Sequence, residues 1–425
     1  MNRRFLALLL VLALLLPALA APALAQEKIV LKYWAHQNEG WNKSHNDIVA
    51  RFNASQDRIE VKTEFFPYDD FQAKTQTSLI AKEGGADIYE IWGGWAADFA
   101  PTGALAEVSP ELAKQIEEDY MAPTYGTFTW EGKYYGVPLE FNIESGGLLV
   151  SKTLFEQYGE AYPTTWDDMI RIAQAHSESD GALMNMKGFD FVTWDNVMYT
   201  WISMILSSGG SYLREDGTLN LTSPEAVKAM EDLVSYVKTT PITNVDPLVG
   251  GGDNEGHYNL AEGRGLMVAR GPWVLSELSE IYGLQLGTDI DYIPMPWYGD
   301  KVAFAAETGW GLAVSSASPN QEAAWEFIAF MTQEENIIPH LIACGMLPAR
   351  KSLLDNEAYL AAMPHVKPLI DILPEGQYLG YFNTDVFKEN INNTFIELTT
   401  TDTYATVADA LAALEKKLNA DLFGK

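Results

Sequence analysis

Cysteine and positive charge are both scarce in this sequence. Its 425 residues include one cysteine, and 28 Lys and Arg stand against 58 Asp and Glu, which gives a formal net charge of −30. A single cysteine excludes a disulfide scaffold and any metal site built from several thiolates. Because a strongly acidic chain repels polyanions, nucleic acid is excluded as a main partner, and an anionic membrane surface is disfavoured.

The motifs of common nucleotide-binding and hydrolytic sites are also missing. The sequence has no G-x-x-x-x-G-K-[ST] loop, G-x-G-x-x-G fingerprint, G-x-S-x-G elbow or H-E-x-x-H pair. Cys344 lies in an apolar context typical of a buried side chain. No metal-ligand spacing joins the histidines, which are His36, His45, His176, His257, His340 and His365. We therefore expect no metal, no cofactor and no catalytic residue, although composition leaves a pair of glycosidase carboxylates open.

The N-terminus has the pattern of a secretory signal peptide. Two arginines precede an apolar run over residues 5–21, and an A-x-A spacing follows at Ala23 and Ala25. The sequence therefore predicts export to the periplasm or the exterior, with cleavage between Ala25 and Gln26; a membrane anchor is the alternative. No cysteine lies near this junction to carry a lipid.

Short apolar runs alternate with helical patterns along the rest of the chain. Strands are predicted over 29–34, 59–66 and 87–92, and helices over 46–53 and 71–81. A further strand candidate lies near 136–150. A mostly helical stretch follows over 166–237, with a cap signal at 163–168 just before a helix, and strands return at 266–268, 292–295 and 311–314 ahead of a helix over 322–331. This order predicts an α/β protein with two lobes, each assembled from non-contiguous segments.

Aromatic residues are abundant, with 12 tryptophans in the chain. Five of them stand at strand ends or beside glycine turns: Trp34, Trp92, Trp95, Trp273 and Trp310. Ligands of open α/β sheets bind outside the carboxyl ends of the strands. A flat indole face there suits a sugar ring, whose hydroxyls need paired donors and acceptors. The alternative role for each ring is structural packing at the edge of a lobe. Trp166 and Trp325 lie in helix patterns and are expected in the core.

Eight segments in a fixed order carry a family resemblance. They are DIYEIWGGWAADFAPTGALAEVSPEL (87–112), GKYYGVPLEFN (132–142), LLVSKTLFEQYG (148–159) with YPTTWDDM (162–169), EGRGLMVARGPWVL (262–275), IPMPWYG (293–299), and TGWGLAVSSASPNQEAAWEFIAFM (308–331) with GMLPARKSLL (345–354). Together they resemble the family 1 extracellular solute-binding proteins of bacterial ABC importers, relatives of maltose-binding protein.

The resemblance implies a two-lobe periplasmic-binding-protein fold, in which the lobes close over a ligand in the cleft between them. The first lobe would combine residues 26–139 and 300–345, the second 143–296 and 349–425, with hinge crossings at 139–143 and 297–302. A monomer that meets a membrane permease transiently is expected.

The resemblance also suggests ligand-binding residues. Trp92, Trp95, Trp273 and the Gly309-Trp310 turn match cleft positions of the family, and Arg350 matches an arginine that either reaches the ligand or holds the lobe. With Trp34 these rings would stack on a sugar. Hydrogen bonds to its hydroxyls would come from Glu140, Asn142, Asp195, Glu307 and Arg350. Because the segment from 138 to 152 is longer than usual in the family, the choice among Glu140, Asn142 and Glu144 stays open.

The predicted function is capture of a sugar, a di- or oligosaccharide, for an ABC importer, without enzymatic activity. Glycerol 3-phosphate or a related phosphodiester is the main alternative ligand, and a peptide or polyamine is a further one. A secreted glycoside hydrolase is the alternative from another functional class.

Overall fold

The computed structural model describes residues 28–180, 183–250 and 256–425. The predicted signal peptide, residues 1–25, and its cleavage site lie outside these residues. No helix in the described ranges combines the length and apolarity that a bilayer crossing requires.

The strands and helices alternate in the first third of the chain and again after residue 256. The strands are β1 (Ile29–His36), β2 (Ile59–Phe66), β3 (Ile88–Trp92), β4 (Thr129–Trp130), β5 (Lys133–Tyr134), β6 (Val137–Pro138), β7 (Gly147–Ser151), β8 (Glu178–Asp180), β9 (Leu183–Asp190), β10 (Gly265–Ala269), β11 (Ile290–Pro294), β12 (Phe304–Ala306), β13 (Trp310–Val314) and β14 (Gly376–Tyr378). The helices are α1 (Glu39–Ser55), α2 (Tyr68–Ala81), α3 (Gly93–Phe99), α4 (Pro110–Asp119), α5 (Ala122–Tyr125), α6 (Lys152–Tyr158), α7 (Trp166–His176), α8 (Asn196–Ser207), α9 (Pro224–Lys238), α10 (Asp246–Gly250), α11 (Gly256–Ala261), α12 (Val274–Tyr282), α13 (Gln321–Met331), α14 (Glu334–Cys344), α15 (Glu357–Ala362), α16 (Lys367–Ile370), α17 (Thr384–Thr400) and α18 (Val407–Phe423). Short 3₁₀ turns cover Lys351–Leu353, Pro364–Val366 and Leu373–Glu375.

The first lobe is built on a five-stranded sheet with the order β2-β1-β3-β13-β6. β1 runs parallel to β2 and β3, because α1 and α2 carry the chain back between successive strands. β13 arrives from a distant part of the chain and pairs antiparallel with β3 and β6. The carboxyl ends of β1 and β3 and the start of β13 therefore meet at one edge of this sheet.

The second lobe contains another mixed sheet, with the order β11-β7-β10-β9-β8. β9 and β10 are parallel, whereas β7 is antiparallel to both β10 and β11. The carboxyl end of β10 leads into Arg270 and the Gly271-Pro272-Trp273 turn, which faces the edge of the first sheet. The result is the mixed two-lobe α/β architecture expected from the sequence.

The chain passes between the two sheets at three places. Residues 139–146 connect β6 to β7, and residues 295–309 connect β11 to β13. The third passage, residues 345–383, returns from α14 to α17 and contributes β14, which pairs in parallel with β12. The sequence indicated the first two passages only.

Residues 353–373 contact both lobes, whereas the domain division suggested by the sequence places them in one. That division assigns 349–425 as a whole to the second lobe. Leu353 and Tyr359 are buried in a hydrophobic cluster that contains the first-lobe sheet, whereas α16 packs against β11 of the second lobe. The physical reason is that α15 packs against α14, and the Tyr359 hydroxyl donates to the Met346 carbonyl oxygen at 2.7 Å. α17 and α18, in contrast, pack in the second lobe.

Two local features differ from the sequence pattern, and one agrees with it. The apolar stretch over 136–150 forms two short strands rather than one. Gly93 and Gly94 do not form an isolated turn but begin α3. A Cβ atom on Gly93 would lie 2.2 Å from the Thr308 carbonyl oxygen, so only glycine permits this close approach. The cap expected before α7 is confirmed, since the Thr165 hydroxyl accepts from the Asp168 N–H at 3.2 Å.

Candidate functional site

A cavity of about 710 Å³ lies between the two lobes, at the edge where β1, β3 and β13 meet. Aromatic, acidic and amide side chains dominate its surface. The residues that line it are His36, Asn38, Trp41, Tyr68, Asp69, Gln72, Trp92, Glu140, Asn142, Glu144, Trp194, Asp195, Arg270, Trp273, Trp310, Asp385, Val386, Lys388 and Glu389.

The structure brings most of the residues singled out in the sequence to this cavity. Those in its lining are Trp92, Glu140, Asn142, Asp195, Trp273 and Trp310. Trp95, Glu307 and Gly309 lie directly behind the lining. Trp34 and Arg350 lie elsewhere.

Trp92 and Trp310 form the aromatic wall of the first lobe. Their ring centroids are 5.3 Å apart with an interplanar angle of 64°. Trp310 also stacks on His36, with centroids 4.3 Å apart and planes inclined by 18°, and Trp41 meets Trp310 edge-on at 6.4 Å. These rings fix one another, because aromatic pairs in offset and edge-to-face arrangements stabilise beyond simple burial.

Glycines make room for this wall. The Gly93 N–H donates to the Gly309 carbonyl oxygen at 3.0 Å, which ties the start of α3 to the start of β13. A Cβ atom on Gly309 would lie 2.7 Å from Glu140 Oε1, so a side chain there would push Glu140 out of place. Gly309 therefore acts on the site through Glu140 rather than by contact with the cavity.

Trp95 supports the wall from behind. It is 1% exposed, and its Nε1 donates to Asp385 Oδ2 at 2.9 Å. Its ring meets Trp310 edge-on, with centroids 5.8 Å apart. Trp95 therefore positions Asp385 and Trp310, and its own face is not available to a ligand.

Trp34 and Arg350 are remote from the cavity lining. Trp34 stands two residues before the end of β1, and its ring packs along the sheet beside Phe66 and Tyr89. Arg350 Nε donates to Asp119 Oδ2 at 2.7 Å, and this ion pair joins the end of α4 to the passage after α14. Of the two roles that the resemblance allowed for Arg350, the geometry corresponds to holding the lobe.

Glu140, Asn142 and Glu144 all reach the cavity, each in a different environment. Glu140 Oε1 accepts from the Trp310 N–H at 3.1 Å, and burial with neighbouring carboxylates raises the Glu140 pKa to about 8. Asn142 Nδ2 donates to the Tyr199 hydroxyl at 3.2 Å. Glu144 accepts from Trp273 Nε1 at 2.8 Å and from the Gly271 N–H at 2.9 Å, and burial raises its pKa. Glu144 thus anchors the second-lobe tryptophan.

Two cations of the lining were missed in the sequence. Lys388 Nζ lies 3.1 Å from Glu307 and 3.3 Å from Asp195. Arg270 lies 3.7 Å from Asp195 and 3.9 Å from Glu144. Asp195 therefore stands between both cations. Lys388 comes from an ordinary amphipathic helix and gave no local signal, whereas Arg270 immediately precedes the glycine-proline-tryptophan turn and could have been included with it.

Glu307 is the buried partner that holds Lys388 in place. Its carboxylate also accepts hydrogen bonds from Tyr199 and Thr384. Burial outweighs the nearby lysine and raises the Glu307 pKa to about 7, while Glu307 and Asp195 raise the pKa of Lys388 despite its burial. Lys388 also lies 4.9 Å from the centroid of Trp92.

His36, His45 and His340 meet at the wall of the cavity, with His36 in the lining and the other two behind it. Their spacing in the sequence did not indicate this cluster. His36 and His45 flank the buried Glu90, at 2.9 Å and 3.8 Å, and the rings of His45 and His340 are 4.9 Å apart. Burial lowers the His340 pKa to about 3, and the two flanking histidines hold the Glu90 pKa below its usual value despite burial. Within the described ranges, no group of three or more His, Cys, Asp and Glu side chains has a geometry that could hold a metal ion.

Comparison with known proteins gives both a family and a fold. A family model described as bacterial extracellular solute-binding protein matches residues 47–368. The maltotriose-binding protein of Pyrococcus abyssi is 20% identical over 314 residues, covering 70% of this chain and 62% of that protein. The arabinooligosaccharide-binding protein of Bacillus subtilis is 23% identical over 311 residues, covering 72% of this chain and 67% of that protein.

Solved structures with the same fold cover nearly all of the chain. T. maritima MalE3 with bound maltose gives a TM-score of 0.77 at 21% identity, covering 92% of this chain and 99% of that one. The substrate-binding protein Lmo0181 of Listeria monocytogenes, in complex with cycloalternan, gives a TM-score of 0.75 at 22% identity. The match covers 93% of this chain and 99% of that one. At these identities the likeness establishes the fold alone.

Proposed function

The chain belongs to the bacterial extracellular solute-binding proteins, the non-enzymatic binding components of ABC transporters, and we propose that its solute is a di- or oligosaccharide. The observation that carries this proposal is the composition of the cavity between the lobes, in which Trp92 and Trp310 are accompanied by a set of carboxylates and amides.

Each kind of side chain in the cavity suits one part of a sugar. The apolar C–H face of a pyranose stacks on an indole ring, and Trp92, Trp310 and Trp273 supply such rings on both lobes. The hydroxyls need acceptors and donors, which Glu140, Asp195 and Asn142 offer. We propose these six residues as the direct contacts, with Trp95, Glu307 and Gly309 in supporting positions.

The size of the cavity fits more than one sugar ring. A volume of about 710 Å³ lies in the upper part of the range for small-molecule sites. Relatives and structural neighbours described as binding maltotriose, arabinooligosaccharides and diacetylchitobiose, or solved with maltose or cycloalternan, support an oligosaccharide ligand here.

The charge distribution argues against glycerol 3-phosphate as the ligand. Arg270 and Lys388 do converge in the cavity, but both contact Asp195, and each has a second carboxylate partner. A phosphate would have to replace these carboxylates, and it would also meet Asp69, Asp385 and Glu389 in the same lining. The acidic surroundings therefore favour an uncharged polyol over a phosphate.

Delivery to an ABC importer permease would follow closure of the two lobes over the sugar. The chain passages 139–146, 295–309 and 345–383 connect the two sheets and are the proposed hinge. The closed, sugar-bound form of the exported monomer would then be the form that the permease recognises.

A thermal-shift panel tests the proposed function. Maltose, maltotriose, arabinotriose, cellobiose, diacetylchitobiose, their monosaccharides and glycerol 3-phosphate are added separately to the purified chain. A ligand that binds only the folded state raises Tm by mass action, so at least one oligosaccharide should raise Tm in a concentration-dependent way. A response to glycerol 3-phosphate alone, or to none of the compounds, would contradict the proposal.

A further inference from the structure

His36 occupies a position in the cavity that its place in the sequence does not reveal. It is the last residue of β1, is 8% exposed and belongs to the cavity lining. Its ring stacks on Trp310 and meets Trp41 edge-on, with centroids 4.7 Å apart. Two tryptophans therefore fix the plane of the imidazole at the foot of the aromatic wall.

Glu90 fixes which nitrogen of the His36 ring is turned away from the cavity lining's accessible side, because it contacts Nδ1. Glu90 Oε2 lies 2.9 Å from His36 Nδ1 and 3.1 Å from the His36 backbone nitrogen. Glu90 is fully buried, and because its Oε2 accepts the backbone N–H of His36, the same oxygen is the acceptor that the ring nitrogen Nδ1 meets. The hydrogen of an uncharged His36 ring must then be on Nδ1, which leaves the lone pair on Nε2.

His36 Nε2 is the ring nitrogen that Glu90 does not contact. Nε2 makes no hydrogen bond to any residue in the described ranges. It is also not fully buried. The atom is therefore accessible, and the cavity is the space that His36 lines. An accessible lone pair beside a stacking tryptophan is an acceptor for a hydroxyl hydrogen.

We propose that His36 binds the sugar directly, with Nε2 accepting a hydroxyl hydrogen from the ring stacked on Trp310, and that Glu90 is a positioning residue that sets the tautomer. This inference rests on the proposed sugar ligand. Imidazole differs from an ionised carboxylate because it accepts a hydrogen bond without charge, so it lacks the extra attraction that a carboxylate would have for a cationic group.

Three variants separate direct binding from packing. His36→Phe keeps an aromatic ring against Trp310 but has no Nε2, whereas His36→Gln keeps an acceptor without the ring. The matched control is His176→Phe, since His176 stacks on Tyr158 with centroids 4.1 Å apart and lies 3.1 Å from Glu160 outside the cavity. Affinities are measured by titration calorimetry with the panel sugar that raises Tm most.

We expect His36→Phe to weaken binding of that sugar at least tenfold and His36→Gln to weaken it less, while His176→Phe changes the affinity less than twofold. Unchanged affinity in His36→Phe, while the wild-type chain binds sugar, would overturn the inference and leave the proposed function standing. A wild-type chain that binds no sugar of the panel would overturn both.

¹⁵N NMR of histidine-labelled protein at pH 8 tests the role of Glu90 independently of affinity. The wild-type spectrum should show His36 as the Nδ1–H tautomer, and addition of sugar should shift the Nε2 resonance. Glu90→Leu removes the acceptor of Nδ1–H, so it should populate the Nε2–H tautomer and weaken sugar binding, because Nε2 can then no longer accept. A His36 ring that is Nε2–H in the wild type, or an Nε2 resonance unaffected by sugar, would overturn the assignment.

Discussion

Trp92 and Trp310 are register partners across β3 and β13, and their rings meet at the mouth of the cleft with centroids 5.3 Å apart. The two residues are more than 200 positions apart in the chain, and their strands pair antiparallel in the same sheet. The aromatic wall is thus carried by the rigid sheet of the first lobe rather than by a mobile loop, which limits the ordering cost of binding.

Replacement of Trp92 by alanine should weaken sugar binding by about 2 kcal/mol, roughly thirtyfold, because a buried stacking ring is a typical binding hot spot. Trp130→Ala is the matched control, since Trp130 lies in the β4–β5 hairpin and packs on Tyr381 outside the cavity. Titration calorimetry measures both affinities. Equal effects of the two substitutions would show that stacking in the cleft contributes little.

Arg350→Ala should lower the stability of the first lobe and leave sugar affinity within twofold of the wild type. Its guanidinium pairs with Asp119 and donates to the Thr332 carbonyl oxygen at 3.0 Å, away from the cavity lining. Loss of a partly buried charged hydrogen bond costs about 1–3 kcal/mol. Urea unfolding and calorimetry check the two halves of this prediction, and a large loss of affinity at unchanged stability would place Arg350 in the binding site after all.

Glu140→Gln should make the protein more stable at high pH. The pKa of Glu140 rises from 4.5 to about 8 on folding, so the unfolded chain releases the proton above pH 4.5 whereas the folded chain keeps it until about pH 8. Wild-type stability therefore falls across this window, and glutamine removes that loss. The Trp310 N–H retains an acceptor in the glutamine Oε1.

The difference in unfolding free energy between Glu140→Gln and the wild type should grow with pH from 4.5 to 8. Each unit of pKa shift corresponds to about 1.4 kcal/mol, so the total difference amounts to a few kcal/mol at most. Urea unfolding at several pH values measures it. A difference that is the same at pH 5 and pH 8 would contradict the assignment of a protonated Glu140.

Local patterns predicted much of the fold. The strand expected over 87–92 is β3 (Ile88–Trp92), and the helix expected over 322–331 is α13 (Gln321–Met331). Both are predictable because their apolar spacing matches their burial. The structure of the apolar stretch from 136 to 150 was harder to predict. Within this stretch the chain leaves one sheet and enters the other, and local propensity does not indicate such a crossing.

Some residues of the cavity could be predicted from local sequence patterns, and others could not. Trp310 and Trp273 follow glycines in recognisable turns, so the sequence pointed to them. Lys388 and Glu90 did not stand out, because one lies on an ordinary amphipathic helix and the other within a fully buried strand. Their roles depend on distances to Glu307 and His36 that only the tertiary structure determines.

A crystal structure of the chain with the tightest-binding sugar of the panel tests the central claim most directly. The account predicts one sugar ring stacked on Trp310 or Trp92 in the cavity between the lobes, with hydroxyls hydrogen-bonded to Glu140, Asn142 or Asp195. A sugar bound outside this cavity, or a cavity that instead holds a phosphate between Arg270 and Lys388, would contradict it.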